Sequence, residues 1–554
     1  MIELGEARVV GAGPLVGAIA REIGLVEIVD RNVAWDPVRS KLSPGELILA
    51  LVLNLLTSRQ PLYKVWLDFH ETDIELLLGE GIELEDVNDD ALGRALDKFQ
   101  AGGARRIFSM VAAQALAQEE VERRFLHWDS TSKSLYGEYS TATGEGAAKP
   151  AYGYSKDHRP DLKQIIMTLF CNREGIPLVG EVRDGNSSDK KLNNEMIGQL
   201  VEMFSPGELR ELVYVADSAL VTDDNLKALS AAEVRFLSRL PETYRAAAEA
   251  KALAWEGEWT TIGRISPQKG AAEYLASEQR GVVAGRDYRL VIYRSSHLDK
   301  RKAKSLEREL VAERERLGKE AAVLANQRFF CREDAEAAGQ AWLKENSAGF
   351  HSLSLTVSET REQRKRARRG RPRRDEDPEW EAFYQLQVEI GPRLEERVQA
   401  EQERRSAFVL ITDLAPEEFP ADRLLLEYKA QTSVEQRFRF LKDPSFVDAF
   451  YLQKPERVEA LGYVMMLAAL VFSLLERRIR RSEQPLVTPA RGPLKNPTGR
   501  EILQNIKSAM VTVTGRLERR LSIPRYFRSP LQAVLTMAGF DERIYTEVPV
   551  RRFG

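Results

Sequence analysis

A succession of strands and helices that stops near residue 241 and resumes at residue 407 constrains the fold of this 554-residue chain more than any other feature. Alternating or continuous apolar runs predict strands at 124–139, 163–171, 175–184, 212–216 and 234–240. The run Ala407 to Leu414 predicts a further strand, and a long helix follows from about Ala421 to Leu441. Strands interspersed with helices predict a mixed α/β sheet, and the break predicts a large insertion within one domain.

The chain divides into five predicted segments. Residues 1–120 are predicted as a helical N-terminal domain, in which Ser43-Pro44-Gly45-Glu46 has the spacing of a capping box that begins a helix. Residues 121–241 and 406–482 are predicted as the two parts of the α/β core, and residues 242–405 as an α/β insertion between them. Residues 483–554 are predicted as a basic, helical C-terminal region.

Composition excludes several classes of protein. Two cysteines, Cys171 and Cys331, cannot build a disulfide scaffold or a Cys-rich zinc module, and five histidines are too few for a His-built metal centre. The longest apolar run, 460–475, is shorter than the ~20 residues that cross a bilayer, which favours a buried helix over a membrane segment. No secretory signal is visible, so we expect a cytoplasmic protein with no membrane partner.

The net charge of -3 conceals a strongly uneven distribution of charge. The stretch 71–90 contains acids and no Lys or Arg, whereas 361–374 contains nine Lys and Arg with one acid. The stretch 477–528 contains 13 Lys and Arg against three acids, and is predicted as a second DNA-contact surface. A nearly neutral total is therefore compatible with nucleic acid as a partner.

A glycine-rich turn near the N-terminus imitates a dinucleotide-binding site. Gly11 and Gly13 precede a helical stretch, and Asp30 follows Gly11 at the distance of a ribose-binding acid. However, Val16 occupies the place of the third glycine, and no further strand-helix-strand units follow. The sequence therefore favours a plain helix beginning at Pro14.

Three acids fall on elements of the interrupted α/β core. Asp129 lies in the middle of a predicted strand, Asp217 ends the apolar strand 212–216, and Glu435 lies on the long helix. A carboxylate within an apolar strand costs several kcal/mol unless it is paired or bound to metal. Carboxylate oxygens suit hard cations such as Mg²⁺ or Mn²⁺, so we expect the three carboxyl groups to lie within a few Å of a common point.

The helix of Glu435 carries further polar residues at helical spacing. Tyr428, Gln431, Glu435 and Lys442 are separated by three, four and seven residues, which places them on one stripe at ~100° per residue. Such a stripe makes a poor core face, because buried polar groups need partners. A solvated, salt-bridged stripe remains the alternative, and it becomes the weaker one once Asp129 and Asp217 are considered.

The chain resembles the DDE transposases of the IS4 superfamily in the order Asp, Asp, insertion, Glu and in the spacing Tyr428-x2-Gln431-x3-Glu435-x6-Lys442. Its overall sequence pattern resembles that of the IS1634-like subgroup. Gln431 stands where that signature usually has Arg, and Lys429 or Arg437 would replace the charge. The resemblance implies an RNase H-like catalytic core in which Asp129, Asp217 and Glu435 bind two Mg²⁺ (or Mn²⁺) ions. It also implies DNA-phosphate contacts from Tyr428, Gln431 and Lys442.

The implied activity is metal-dependent cleavage at the ends of an insertion element, followed by strand transfer into target DNA. The implied partners are the terminal inverted repeats, the target DNA and a second copy of the chain in the DNA-bound assembly, within the nucleoid of a prokaryotic cell. Two alternatives stay open: a nuclease with the same core but no strand transfer, and a domesticated DNA-binding protein without catalysis.

The basic run within the insertion is predicted to bind DNA phosphates as a flexible arm, with a solvated loop as the alternative. Its cations are Arg364, Lys365, Arg366, Arg368, Arg369, Arg371, Arg373 and Arg374. His127, two residues before Asp129, is a possible neighbour of the metal site, although a packed structural histidine is the stronger interpretation.

Overall fold

The chain folds into two compact units. The first contains Met1–Arg239, Ala284–Arg286 and Ile411–Gly554, and the second contains Leu240–Val283 and Asp287–Leu410. This computed structural model describes residues 6–58, 60, 64–139, 147–153, 159–266, 270–364, 380–432, 434–437, 452, 454–514 and 518–551. The N-terminal segment, the strands that carry the two aspartates and the C-terminal segment therefore belong to one unit.

The N-terminal segment is helical, as predicted, apart from one short strand. Its elements are β1 (Glu6–Val9), α1 (Gly13–Glu22), α2 (Leu25–Asn32), α3 (Pro44–Leu56), α4 (Val65–Glu71), α5 (Ile74–Leu78), α6 (Asp89–Ala101) and α7 (Ala104–Gln118). The predicted capping box is present at α3, where the Ser43 amide donates to Glu46 Oε2 at 2.8 Å and the Glu46 amide donates to Ser43 Oγ at 3.1 Å. Two otherwise unpaired amides are satisfied in this way, so the helix begins sharply at Pro44.

The α/β core contains the mixed sheet that the sequence predicts. Its elements are β2 (Phe125–Leu135), β3 (Lys163–Cys171), β4 (Pro177–Asp184), α8 (Asp189–Met203), α9 (Pro206–Glu211), β5 (Val213–Ala216), α10 (Asp223–Ala231) and β6 (Arg235–Arg239). The strands lie in the order β4-β3-β2-β5-β6, antiparallel from β4 to β2 and parallel from β2 to β6. Most of their residues are buried, which explains the nearly continuous apolar runs in the sequence.

The second unit lies where the sequence predicts an insertion at 242–405. Its elements are α11 (Arg245–Glu256), β7 (Thr260–Arg264), β8 (Glu273–Val283), β9 (Arg286–Ser295), α12 (Lys300–Ala325), α13 (Arg332–Asn346), β10 (His351–Gln363), β11 (Trp380–Arg393) and α14 (Glu395–Ser406). Strands β10 and β11 form a long antiparallel ribbon against which α12 and α13 pack. Leu306, Leu310 and Val398 form an apolar cluster between the helices α12 and α14.

The chain returns through β12 (Phe408–Thr412), α15 (Ala421–Ala430) and α16 (Pro455–Arg481). The Thr412 hydroxyl donates to the Phe236 carbonyl at 2.6 Å, which fixes the end of β12 beside β6. The predicted single helix from 421 to 441 is interrupted at Gln431, whose amide bonds to the Tyr428 carbonyl only three residues back. Among the described residues, α16 alone has the length and composition of a membrane-crossing helix, and its apolar stretch is entirely buried in the protein.

The C-terminal region differs from the purely helical prediction. It contains β13 (Leu486–Thr488), β14 (Gly492–Leu494), α17 (Gly499–Ile506), β15 (Met510–Thr514), β16 (Glu518–Ser522) and α18 (Arg525–Ala538). Strand β15 pairs antiparallel with both β1 and β16, so the two ends of the chain form one small sheet. Among the described residues β1 pairs only with the antiparallel β15, so the turn at Gly11 does not follow a strand of a parallel strand-helix-strand unit, which argues against the dinucleotide-binding interpretation.

Candidate active site at the carboxyl ends of strands β2 and β5

Asp129 and Asp217 lie level with each other on neighbouring parallel strands. The pairing of β2 with β5 ends at His127 and Val215. Asp129 and Asp217 each lie two residues beyond this last pair, and Asp217 directly follows β5. Parallel strands are ~4.8 Å apart, and residues two positions apart share a face of the sheet. Backbone amides donate to both carboxylates, from Ser130 to Asp129 at 2.7 Å and from Ala219 to Asp217 at 3.0 Å. The fold thus places both carboxyl groups at one edge.

Arg239 belongs to this edge, and the sequence analysis missed it. Because Ala216 is opposite Ser238 in the register of β5 and β6, Arg239 lies level with Asp217. The Ser238 hydroxyl donates to the Asp217 carbonyl at 2.8 Å, which ties the ends of the two strands together. The sequence does show that Arg239 ends a predicted strand. Only the register of β5 and β6 shows that this strand end lies beside Asp217.

Gln431 fixes the third element of the site to the first. Helix α15 packs on β5 and β6, and Gln431, directly after it, is buried. Its side-chain amide donates to the carbonyl of Trp128, the residue before Asp129, at 3.4 Å. The prediction placed Gln431 against DNA phosphate, whereas its buried amide holds the helix on the strand, so we assign it a positioning role.

Tyr428 and Lys429 connect these groups electrostatically. Burial raises the pKa of Tyr428 to about 12, with Asp217 and Glu435 contributing in the same direction and Arg239 opposing them. Burial also lowers the pKa of Lys429, helped by Arg239 and opposed by Glu435. The Tyr428 hydroxyl therefore stays protonated at neutral pH.

Glu435 is exposed, one helical turn beyond Gln431. The backbone amide of Glu435 donates to the Gln431 carbonyl at 3.4 Å, so the helical turn that carries Glu435 begins at Gln431. Within the described ranges, no three His, Cys, Asp or Glu side chains converge closely enough to hold one ion. Asp129, Asp217 and Glu435 are all described, so the expected approach of their three carboxyl groups to a common point is not observed in this structure. Their role as metal ligands stays a prediction, and Lys442 lies outside the described residues.

Arg437 anchors the same segment from the other side. Its buried guanidinium donates to the Gly175 carbonyl at 2.9 Å, forms an ion pair with the buried Glu476 and lies 5.6 Å from the centre of the Phe472 ring. These contacts occupy Arg437 inside the protein. The suggestion that it replaces the missing DNA-contacting arginine is therefore not supported.

Two arginines of the second basic stretch are engaged inside the protein. Arg477 pairs with Glu119 at 3.0 Å and with Glu174 at 2.6 Å, and it is buried. Arg519 pairs with Asp73 at 2.6 Å and with Glu75 at 2.9 Å, and it is likewise buried. The prediction of one continuous DNA-contact surface over 477–528 is therefore wrong for these arginines. In the insertion, Arg364 is described, whereas Lys365, Arg366, Arg368, Arg369, Arg371, Arg373 and Arg374 lie outside the described residues.

His127 is a buried, neutral histidine beneath the two aspartates. Burial lowers its pKa to about 3, and the charge of Arg173 contributes in the same direction. Neither ring nitrogen has a hydrogen-bond partner among the described residues. These observations support the interpretation of His127 as a packed structural residue.

We expect His127→Leu to change how stability depends on pH. Between pH 6.5 and about 3 the unfolded chain binds a proton on His127 that the folded protein does not bind. Wild-type stability should therefore fall on acidification by about 1.4 kcal/mol per pH unit through this residue alone, and the variant should lose that dependence. Urea unfolding at pH 8 and pH 5 measures it, with the exposed His297→Leu as the control. Equal pH dependence in wild type and His127→Leu would contradict the assignment.

The comparisons with known proteins show the family of the chain. A family described as the transposase DDE domain matches residues 123–471, which is more than half of the chain and includes Asp129, Asp217 and Glu435. The chain therefore belongs to the transposase DDE domain family. A domain of unknown function, DUF4277, matches residues 6–113.

Similarity beyond the family is low. No curated protein matches this chain. A cryo-EM structure of the piggyBac transposase synaptic complex with hairpin DNA is similar to it with 8% sequence identity and a TM-score of 0.38, covering 89% of this chain and 79% of that chain. A likeness this low does not establish a shared fold, so the class of the protein depends on the family match.

Proposed function

We propose that the protein is an insertion-sequence transposase of the IS4 superfamily, IS1634-like, with an RNase H-like core. It would cleave DNA at the ends of its element and join those ends to target DNA. The observation that supports this best is the register that sets Asp129 level with Asp217, beside a helix that Gln431 attaches to Trp128. The family match supports the class, and this geometry supports the choice of Asp129 and Asp217 as site residues.

The acids at this edge suit divalent metal ions. Asp129 and Asp217, joined by Glu435, would hold two Mg²⁺ or Mn²⁺ ions, since carboxylate oxygens are the donors that these hard cations prefer. Ions bound in this way activate an attacking oxygen and stabilise a leaving one in phosphodiester chemistry. Arg239 and the protonated Tyr428 would contact the phosphate and hold it in position, and Lys429 would add positive charge.

The partners follow from the same proposal. The protein would bind terminal inverted repeats and target DNA, and pair two ends as a homodimer in the DNA-bound assembly, in the nucleoid of a prokaryotic cell. An assay with pre-cleaved ends and a target plasmid separates it from its rivals. Joined product is the expected result; cleavage without joining would identify a nuclease, and binding without either reaction would identify a domesticated DNA-binding protein.

The arginine-rich segment of the insertion should supply salt-dependent DNA affinity. Replacing Lys365, Arg366, Arg368 and Arg369 by Gln should make the slope of log K against log salt concentration shallower by about 0.9 for each phosphate that is no longer neutralised. Binding isotherms at several salt concentrations measure this slope. A matched control neutralises Arg301, Lys304, Arg308 and Arg314, which are exposed cations of α12 in the same unit. An unchanged slope in the first variant, or an equal decrease in both, would refute a DNA-binding arm.

A further inference from the structure

A cluster of tyrosines and cations lies beyond the aspartates at the far end of β2. Leu135, the last residue of β2, pairs with Lys163, the first residue of β3. Six residues separate Leu135 from Asp129, which corresponds to ~20 Å of extended strand. We name Tyr136, Tyr152, Arg159 and Lys163 the tyrosine cluster.

The cations of the tyrosine cluster are bound to the protein itself. Arg159 donates to both carboxylate oxygens of Asp161, at 2.9 and 2.7 Å, and its guanidinium carbon lies 5.8 Å from the centre of the Tyr136 ring. The Lys163 ammonium donates to the carbonyls of Glu138 and Tyr139 at 2.6 and 3.2 Å. These partners engage the charge of Arg159 and the hydrogen-bond donors of Lys163. The surface of the tyrosine cluster is therefore more aromatic than cationic.

Tyr152 is exposed although the backbone on both sides of it is held. Ala151 exchanges two backbone hydrogen bonds with Gln164, at 3.1 and 2.9 Å. Gly153 packs against the backbone of Gly185, because a Cβ at residue 153 would lie 2.2 Å from the Gly185 carbonyl oxygen. Tyr152 nevertheless remains 62% exposed, with the Lys163 ammonium 6.0 Å from its ring centre. The held backbone therefore keeps this exposed ring at one place on the surface, where an aromatic face can stack on a nucleobase.

We propose that Tyr152 is a stacking platform for an unpaired nucleobase of the DNA strand that runs away from the aspartates. Bases within a duplex are stacked on each other, whereas an unpaired base exposes its face to an aromatic side chain. The ~20 Å between Asp129 and the end of β2 corresponds to about six base steps of duplex at 3.4 Å each, and to fewer nucleotides of an extended single strand. This inference depends on the proposed function for the presence of DNA at the aspartates, and it adds a subsite for single-stranded DNA.

The test compares two DNA substrates and variants of two exposed aromatic residues, Tyr152 and Phe330. Each substrate has the same duplex, and one carries a single-stranded extension of about six to eight nucleotides containing 2-aminopurine. We expect Tyr152→Ala to weaken binding of the extended substrate at least fivefold and to abolish quenching of 2-aminopurine, with no change for the blunt duplex. Tyr152→Phe should behave as wild type. Phe330→Ala removes an aromatic residue that is 73% exposed in the second unit and should change neither substrate.

Equal affinity of wild type and Tyr152→Ala for the extended substrate would overturn the platform, as would an equal decrease on the blunt duplex. Tyr152→Leu keeps the bulk without the aromatic face, so wild-type affinity in that variant would also refute stacking. Failure of the proposed function looks different. The wild-type protein would then bind the extended DNA through Tyr152 and yet neither cleave nor join any substrate in the presence of Mg²⁺ or Mn²⁺.

Discussion

Asp217→Asn is expected to lower the rate of DNA cleavage by about 10³-fold or more, with DNA affinity unchanged or increased. The substitution removes a charged oxygen ligand from an edge where ions would contribute several kcal/mol of charge stabilisation. It also removes a negative charge near bound phosphate, which explains why affinity should not fall. We expect the same result for Asp129→Asn and Glu435→Gln. Cleavage of a labelled element end and filter binding of the same DNA measure the two quantities.

The control for this experiment is Asp224→Asn, which changes an exposed aspartate in the first turn of α10, seven residues beyond Asp217. It should keep wild-type cleavage. Titration with Mn²⁺ gives a second measurement that does not depend on activity, and each ligand variant should bind fewer ions than wild type. Wild-type cleavage by both Asp217→Asn and Glu435→Gln would eliminate the three-acid site.

Arg437→Ala is expected to destabilise the first unit by about 3 kcal/mol. The substitution leaves the buried carboxylate of Glu476 without its main partner and removes the donor to the Gly175 carbonyl. We expect the lower part of the range for one member of a buried ion pair, because Arg480 remains 3.4 Å from Glu476. Urea unfolding followed by circular dichroism measures the shift of the midpoint.

A double variant distinguishes the loss of the ion pair between Arg437 and Glu476 from the cost of leaving a buried charge without a partner. Arg437→Met with Glu476→Gln should recover a large part of the stability, because no uncompensated charge then remains in the core. Arg543→Ala breaks an exposed ion pair with Asp541 in the same unit and should leave the midpoint nearly unchanged. Equal shifts for Arg437→Ala and Arg543→Ala would show that the buried pair does not hold the segment in place.

The strands, and the positions of both aspartates on them, could be predicted because their signals are local. Apolar runs define β2 and β5, and a carboxylate within or at the end of such a run is unusual in any context. Arg239 could not be found in this way, because an arginine at a strand end is common and only the register sets it beside Asp217. The burial of Gln431 could not be predicted for a related reason: regular helical spacing predicts an exposed stripe, whereas the turn at Gln431 is tightened and its side-chain amide donates to the Trp128 carbonyl.

The sequence by itself determined the order of the strands and helices, the interruption of the core and the segregation of charge along the chain. Only the tertiary structure decided what those charges do. Arg519 and Asp73 are 446 residues apart, yet their side chains meet at 2.6 Å, because β15 joins β16 to the N-terminal strand β1. Burial makes such a partner obligatory without specifying which acid it is. A basic stretch that is typical of DNA binding therefore serves in part to hold the two ends of the chain together.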